Sequence, residues 1–366
     1  MLSYFVPSSA VHVGDHAAAS AANHHGGPGP AIHYWQAIVL GLLQGVTELF
    51  PVSSLGHTVI FPALFGWHNV VAAESANESF WLAFIVGLHV GTALALLFYY
   101  RTDWVAIIRG LFGSLARRRA ETPDERLAWL LVVATIPAGI TGVLLEHALR
   151  VLFTKPLPAS IFLIVNGCIL MLGEQYRRRA SHLPGAEVTP GATGEGIGVT
   201  TEAVGGATGL TTDSIDGNTS EAGPISVGTG GTARPRRKSR ELASLQYREA
   251  GVIGVAQVLA LVAGISRSGI TMVAGLARGL NHEDSARFAF LLATPVILLA
   301  GLYKLPDLLG STGNGVRGQT LVGAAAAAVA ALVAVHFLTR WFRTRTLVPF
   351  AVYCLLAGVV FTVRFA

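Results

Sequence analysis

The chain has 366 residues, 52% of them hydrophobic against 13% charged, with a mean hydropathy of +0.55 and a formal net charge of +5. That balance excludes an ordinary soluble domain and points to a polytopic membrane protein. The positive charge does not read as a nucleic-acid footprint, because the basic residues fall between apolar runs instead of forming one face interleaved with aromatics. The two cysteines, Cys168 and Cys354, both sit inside apolar runs and read as small buried side chains, which speaks against a disulfide or a metal site.

In chain order, residues 1–30 hold His12, His16, His24 and His25 among Ala, Gly and Pro. They lack the basic start and apolar core of a signal peptide, and a disordered tail is expected. A first membrane unit is expected over 31–176, with an interrupted apolar segment followed by spans near 81–100, 127–145 and 159–173, each close to the roughly 20 residues that a bilayer core requires. Residues 177–245 are expected to form a flexible cytoplasmic linker, because 181–233 are rich in Gly, Thr, Ala and Glu and offer few large apolar side chains to offset the entropy of ordering. A second unit over 246–366 repeats the plan, with spans near 285–303, 319–339 and 347–363.

Charge between the spans sets the orientation. Arg101, Arg109, Arg117, Arg118, Arg119 and Arg126 follow the first span, Arg177, Arg178 and Arg179 the third, and Arg340, Arg343 and Arg345 the fifth. All three clusters fall on one side, the cytoplasm, which leaves the carboxyl terminus outside.

The interrupted segments, GLLQGVTELFPVSSLGHTVI from Gly41 and GVAQVLALVAGISRSGITMV from Gly254, align at a constant offset of 213 residues. Gln44 meets Gln257, Ser53 meets Ser266, Gly56 meets Gly269 and Thr58 meets Thr271, and Pro51 or Gly264 breaks each segment in the middle. Each half-segment is too short to cross alone, so both read as re-entrant helix-turn-helix pairs. Three spans per half is an odd number, which predicts two halves of opposite orientation. The expected fold is therefore an all-α inverted-topology repeat with six full transmembrane helices and two re-entrant pairs, whose breaks meet near the bilayer midplane.

The breaks carry the chemistry. Gln44 and Glu48 lie one helical turn apart on one face, and a carboxylate at membrane depth is costly enough to suggest function. The turn then supplies Ser53, Ser54 and His57; the second turn places Arg267 between Ser266 and Ser268, at the start of a new helix, with Thr271 beyond. Guanidinium and helix-start amides together suit a phosphate, and hydroxyl, imidazole and carboxylate beside them suit phosphoryl transfer. Ser54, His57 and water all fit the spacing as the attacking group. His89, in the first full span, lines the same cavity or simply packs.

At these positions QGVTELFPVSSLGH (44–57) and AGISRSGIT (263–271) resemble the two signatures of the bacitracin-resistance type of undecaprenyl-diphosphatase, with Ala263 replacing the family's Pro, and the similarity runs on through GLNHEDSARFAFLLATPVILLAG (279–301). The resemblance implies hydrolysis of undecaprenyl diphosphate to undecaprenyl phosphate, which recycles the lipid carrier of cell-wall synthesis. It also implies a bacterial plasma-membrane location and a site open to the periplasmic or extracellular side. Carried over residue by residue, it makes Glu48, Ser54, His57 and Arg267 catalytic, Ser53, Ser266, Arg267, Ser268 and Thr271 phosphate-binding, and Glu48 with Gln44 the holders of a Mg²⁺ or Ca²⁺ ion. A lipid-phosphate carrier using the same broken helices is the competing expectation. Membrane lipid is the other partner implied, and a homo-oligomer is compatible with the sequence.

Overall fold

The computed structural model describes residues 32–71, 78–153, 155–182, 242–310 and 315–366. The expected amino-terminal tail over 1–30 lies outside the described residues, as does most of the expected linker. Among the described residues there is no strand. The helices are α1 (Tyr34–Leu49), α2 (Ser54–Leu64), α3 (Glu78–Tyr99), α4 (Arg101–Arg117), α5 (Pro123–Phe153), α6 (Pro156–His182), α7 (Tyr247–Gln257), α8 (Arg267–Ala277), α9 (His282–Leu309), α10 (Arg317–Thr344) and α11 (Val348–Phe365). Short 3-10 turns at Leu242–Ser244 and Val258–Leu261 flank α7. Six segments, Trp81–Tyr99, Pro123–Leu145, Pro156–Arg179, His282–Leu309, Arg317–Thr344 and Val348–Phe365, are long and apolar enough to cross a bilayer. The chain is a multi-pass membrane protein.

Three expectations need correcting. Residues 177–182 continue α6, and at the far end Leu242 and Leu245 are buried, so the expected linker over 177–245 loses both of its ends to ordered structure. Cys168 is exposed on the surface of α6, while Cys354 is buried as expected. The arginine-rich stretch after the first span, read only for its charge, forms the 17-residue helix α4.

Why the two interrupted segments break is a matter of local chemistry. Pro51 disfavours helical geometry in the residue before it, and Phe50 is extended at φ −64°, ψ 139°. Ser53 then caps α2, its Oγ accepting a hydrogen bond from the Gly56 amide at 3.3 Å. In the second half Gly264 takes φ +104°, a conformation that side chains rarely adopt, and Ser266 caps α8 by accepting from the Gly269 amide at 3.1 Å. An offset of 213 relates the starts of α1 and α7 and both ends of α2 and α8.

Packing follows the same correspondence. Helix α1 runs along α10, and α7 runs along α5. Close backbone approach makes both contacts possible: a Cβ on Gly41 would fall 2.1 Å from the Gly323 carbonyl oxygen, and one on its counterpart Gly254 would fall 2.5 Å from that of Ala134. Small residues serve this purpose in membranes, where lipid is as apolar as any side chain and tight packing must hold helices together. Between these units α3 packs on α9, and α6 on α11.

The arginine-rich helix ends gather at one end of the bundle. There Arg287 pairs with Asp103, Arg343 with Glu283 at 3.2 Å, and His282 with Glu174 at 2.8 Å. The segment leading into α7 joins this end, since the Leu242 amide donates to Asp284 at the start of α9. At the α1–α2 unit, by contrast, Gln36 and Asn69 exchange hydrogen bonds of 3.0 and 2.7 Å, and the Trp35 and Trp67 rings meet edge to face at 4.9 Å. The beginning of α1 and the segment after α2 are therefore neighbours.

Candidate active site

The two breaks abut. A Cβ on Gly56 would lie 3.1 Å from the Cα of Gly264, and one on Gly269 would lie 3.2 Å from the Pro51 side chain. Besides capping its own helix, Ser53 accepts a hydrogen bond from the Gly264 amide at 3.1 Å, which ties the first turn to the second. Asn166 of α6 holds both: its Nδ2 donates to the Pro51 carbonyl at 3.0 Å and its Oδ1 accepts from the Ser266 amide at 3.0 Å. Ser268 Oγ donates to the Phe50 carbonyl at 3.3 Å and lies 3.1 Å from Ser266 Oγ. Backbone groups freed where the two segments break are in this way re-satisfied.

Glu48 sits at the centre, with only 5% of its side chain accessible. Arg267 donates to its Oε1 through Nη2 at 2.7 Å and Nε at 3.2 Å. On Oε2, Glu48 accepts from Ser54 Oγ and from Gln44 Nε2 at 3.1 Å, and it faces His89 Nε2 at 3.1 Å. The other nitrogen of His89, Nδ1, is 2.8 Å from the Ile85 carbonyl. The carbonyl can only accept, so Nδ1 carries a hydrogen and Nε2 faces the Glu48 carboxyl group. One buried carboxyl group thus lies between a guanidinium and an imidazole. These basic groups are the more accessible partners, with 13% of the Arg267 side chain and 20% of the His89 side chain exposed.

A family model described as "Bacitracin resistance protein BacA" matches residues 37–201 and 203–360. The chain belongs to this family. Among the BacA relatives, a protein of Frankia alni named Undecaprenyl-diphosphatase 2 is 54% identical over 338 residues, covering 91% of this chain and 98% of the relative. An Undecaprenyl-diphosphatase of Mycolicibacterium paratuberculosis is 49% identical over 329 residues, covering 89% and 95%. One of Gluconacetobacter diazotrophicus is 42% identical over 329 residues, covering 89% and 94%.

In this BacA chain the residues singled out from sequence divide into two groups. Gln44, Glu48, Ser54 and Arg267 converge on one point. Ser53, Ser266 and Ser268 are engaged in holding the turns together, and Thr271 Oγ1 is turned toward Gln257 at 3.5 Å. His57 is fully buried, with Nδ1 2.6 Å from the Ser53 carbonyl and Nε2 2.8 Å from the Tyr353 hydroxyl; its hydrogen bonds do not reach Glu48 or Arg267. The carbonyl requires the hydrogen on Nδ1, so in the neutral ring Nε2 is an acceptor for Tyr353. The imidazole against the carboxylate is His89 instead. Sequence reasoning singled out neither Asn166 nor Tyr353. Asn166 had a signal, since an amide in the middle of an apolar span is expensive unless it has work to do.

A divalent cation can be tested against these donors. Among the described residues no group of three or more His, Cys, Asp or Glu side chains is arranged to hold a metal ion. Gln44 Oε1, however, is buried and has no hydrogen-bond partner, one turn from the Glu48 carboxylate. An amide oxygen and a carboxylate are hard donors that fit Mg²⁺ or Ca²⁺ when substrate phosphates and water supply the remaining ligands.

Proposed function

We propose that the chain is an undecaprenyl-diphosphatase of the bacterial plasma membrane, which hydrolyses undecaprenyl diphosphate to undecaprenyl phosphate and inorganic phosphate. The names of the relatives support the reaction. The observation that carries the reading at the site is the convergence of Arg267, His89 and Ser54 on the buried Glu48, which sets a guanidinium, an imidazole and a hydroxyl around one point suited to a diphosphate head group.

In this reading Arg267 clamps the terminal phosphate through its planar fork, as a guanidinium does best, and His89 neutralises charge on the same group. Ser54 Oγ donates to the Glu48 carboxylate, an arrangement of nucleophile and base. Ser54 attacks the terminal phosphorus, its proton passes to Glu48, and the bond to the bridging oxygen breaks, releasing undecaprenyl phosphate. Water then cleaves the phosphoserine, and Glu48 returns its proton to Ser54 as inorganic phosphate leaves. Gln44 and Glu48 would hold a Mg²⁺ or Ca²⁺ ion, which when bound supplies charge neutralisation on the diphosphate. His57 Nε2, with its lone pair presented to Tyr353, is the remaining proton acceptor near the turn. Ser53, Ser266, Ser268 and Thr271 serve the phosphate through the backbone that they hold.

We further propose that the fold is an inverted-topology repeat with α1–α2 and α7–α8 as re-entrant pairs. Supporting this are the shared offset of 213, the equivalent glycine contacts of Gly41 and Gly254, and the ends of the two pairs. The α7 entry joins the arginine-rich end, whereas the α1 start meets the segment after α2 at Trp35 and Trp67. With the arginines in the cytoplasm, α1 and α2 enter from the periplasmic or extracellular side, and the site opens there.

A lipid-phosphate carrier would share this architecture, but would have no use for a serine hydrogen-bonded to a buried carboxylate. Full-length protein in detergent should release inorganic phosphate from undecaprenyl diphosphate, and Arg267→Ala should abolish release. Normal turnover by a folded Arg267→Ala protein would remove the assignment. Lipid flipping in liposomes without phosphate release would favour the carrier.

A further inference from the structure

The chemistry described above does not use the cleft of about 480 Å³ at the arginine-rich end, formed where α4, α5 and the start of α7 meet. It is lined by the apolar side chains Leu115 and Val133, by Arg118 and Arg119, and by the aromatic Trp129 and Tyr247. Arg117 is committed to an ion pair with Glu125. Arg118 and Arg119 make no side-chain hydrogen bond or ion pair among the described residues, and both are exposed.

Local backbone chemistry turns both arginines out of the helix. Arg118 ends α4 at φ 55°, the left-handed conformation that glycine adopts cheaply and a side chain does not. The Arg118 and Arg119 amides return to the Leu115 and Ser114 carbonyls at 3.3 and 3.1 Å, closing the helix end. Trp129 is fixed from below, its Nε1 donating to Ser114 Oγ at 2.9 Å. The cleft wall is therefore ordered.

Helix α4 itself shows which medium surrounds the cleft. Val105, Ile108, Phe112 and Leu115 recur at spacings of three and four and are 47%, 47%, 66% and 58% exposed, while Ile107 and Ser114 are buried against the bundle. A helix with an unpartnered apolar stripe and arginines at both ends lies in the plane of a membrane interface. Trp129 and Tyr247 belong at that depth, where amphipathic rings concentrate.

We propose that this cleft binds the head group of an anionic phospholipid of the inner leaflet, its phosphate on Arg118 and Arg119 and its first acyl carbons on Leu115 and Val133. The charge is complementary and part of the lining is apolar, a combination that a free anion would not need. Glu121 lies in the turn that follows and Asp124 in the first turn of α5, but neither lines the cleft.

The test uses the full-length protein in detergent, titrated with phosphatidylglycerol or phosphatidylcholine, with bound lipid counted by native mass spectrometry. Wild-type protein should prefer phosphatidylglycerol. The double variant Arg118→Ala/Arg119→Ala should bind it about 30-fold more weakly, since each basic residue near a membrane surface is worth roughly fivefold. Arg118→Lys/Arg119→Lys should retain most of the preference, and phosphate release should be unchanged in both variants. Equal binding of the two lipids by wild type, or undiminished phosphatidylglycerol binding by the alanine variant, would overturn the proposal. Displacement of the lipid by millimolar inorganic phosphate would overturn it as well, because the cleft would then be a free-anion site.

Discussion

The two broken helix pairs use one backbone plan for different ends. Where they agree, at Gly41 and Gly254, Ser53 and Ser266, or Gly56 and Gly269, the shared residues make close contacts or cap a helix. Where they differ they make the site: Glu48 stands opposite Leu261 in the repeat, Ser54 opposite Arg267, and His57 opposite Ile270. Differences at these three matched positions put an acid and its hydroxyl on one turn and a guanidinium on the other. A symmetric pair of turns would have repelled itself, with two acids or two arginines at one buried point.

The largest way to break this asymmetry is to remove its charges. Arg267→Ala should cost about 10³-fold or more in turnover, the range seen when a positioned arginine is lost from phosphoryl transfer, and Glu48→Leu, which copies the residue of the other half, should do the same. Both are read as phosphate release from undecaprenyl diphosphate. Because Arg267→Ala leaves Glu48 paired with His89, whereas Glu48→Leu leaves the buried Arg267 guanidinium without its carboxylate, the second variant should also melt at lower temperature.

A smaller effect separates the two imidazoles. His89→Ala removes the ring that faces Glu48, and should lower turnover by about 10²-fold, comparable to losing one donor to a developing oxyanion. His57 and Tyr353 should behave as a coupled pair, so that Tyr353→Phe added to His57→Ala has less effect than Tyr353→Phe alone. If the two changes simply add, the hydrogen bond between them has no part in activity.

Much of this was legible in the sequence because the signals were local. Two breaks and the convergence of Glu48 with Arg267 follow from turn residues at a fixed offset, and the six spans follow from apolar runs, whereas the capping role of Ser53 and Ser266 came only from the structure. What escaped depended on tertiary rotation. His57 shares the first turn with Glu48 in sequence, yet its ring faces α11, while His89 reaches the Glu48 carboxyl group from a different helix. Only the packing of α3 could reveal that. Helix α4 was hidden for another reason: at a membrane surface an apolar stripe is left exposed, and its arginines drew attention to charge instead of to spacing.

The smallest prediction asks whether the shared residues do equal work. Ser266→Ala removes one cap, at a cost of about 1 kcal/mol. Ser53→Ala removes a cap and also the acceptor for the Gly264 amide, leaving a buried N–H with nothing to receive it, which adds about 1–3 kcal/mol. Ser53 further sits at φ 72°, a conformation that alanine tolerates no better and without the compensating bonds. Thermal unfolding in detergent should therefore show the Ser53 variant destabilised more than the Ser266 variant. Equal shifts would mean that this bond between the turns contributes nothing, and that Asn166, Ser268 and the Glu48–Arg267 pair hold the two halves in register.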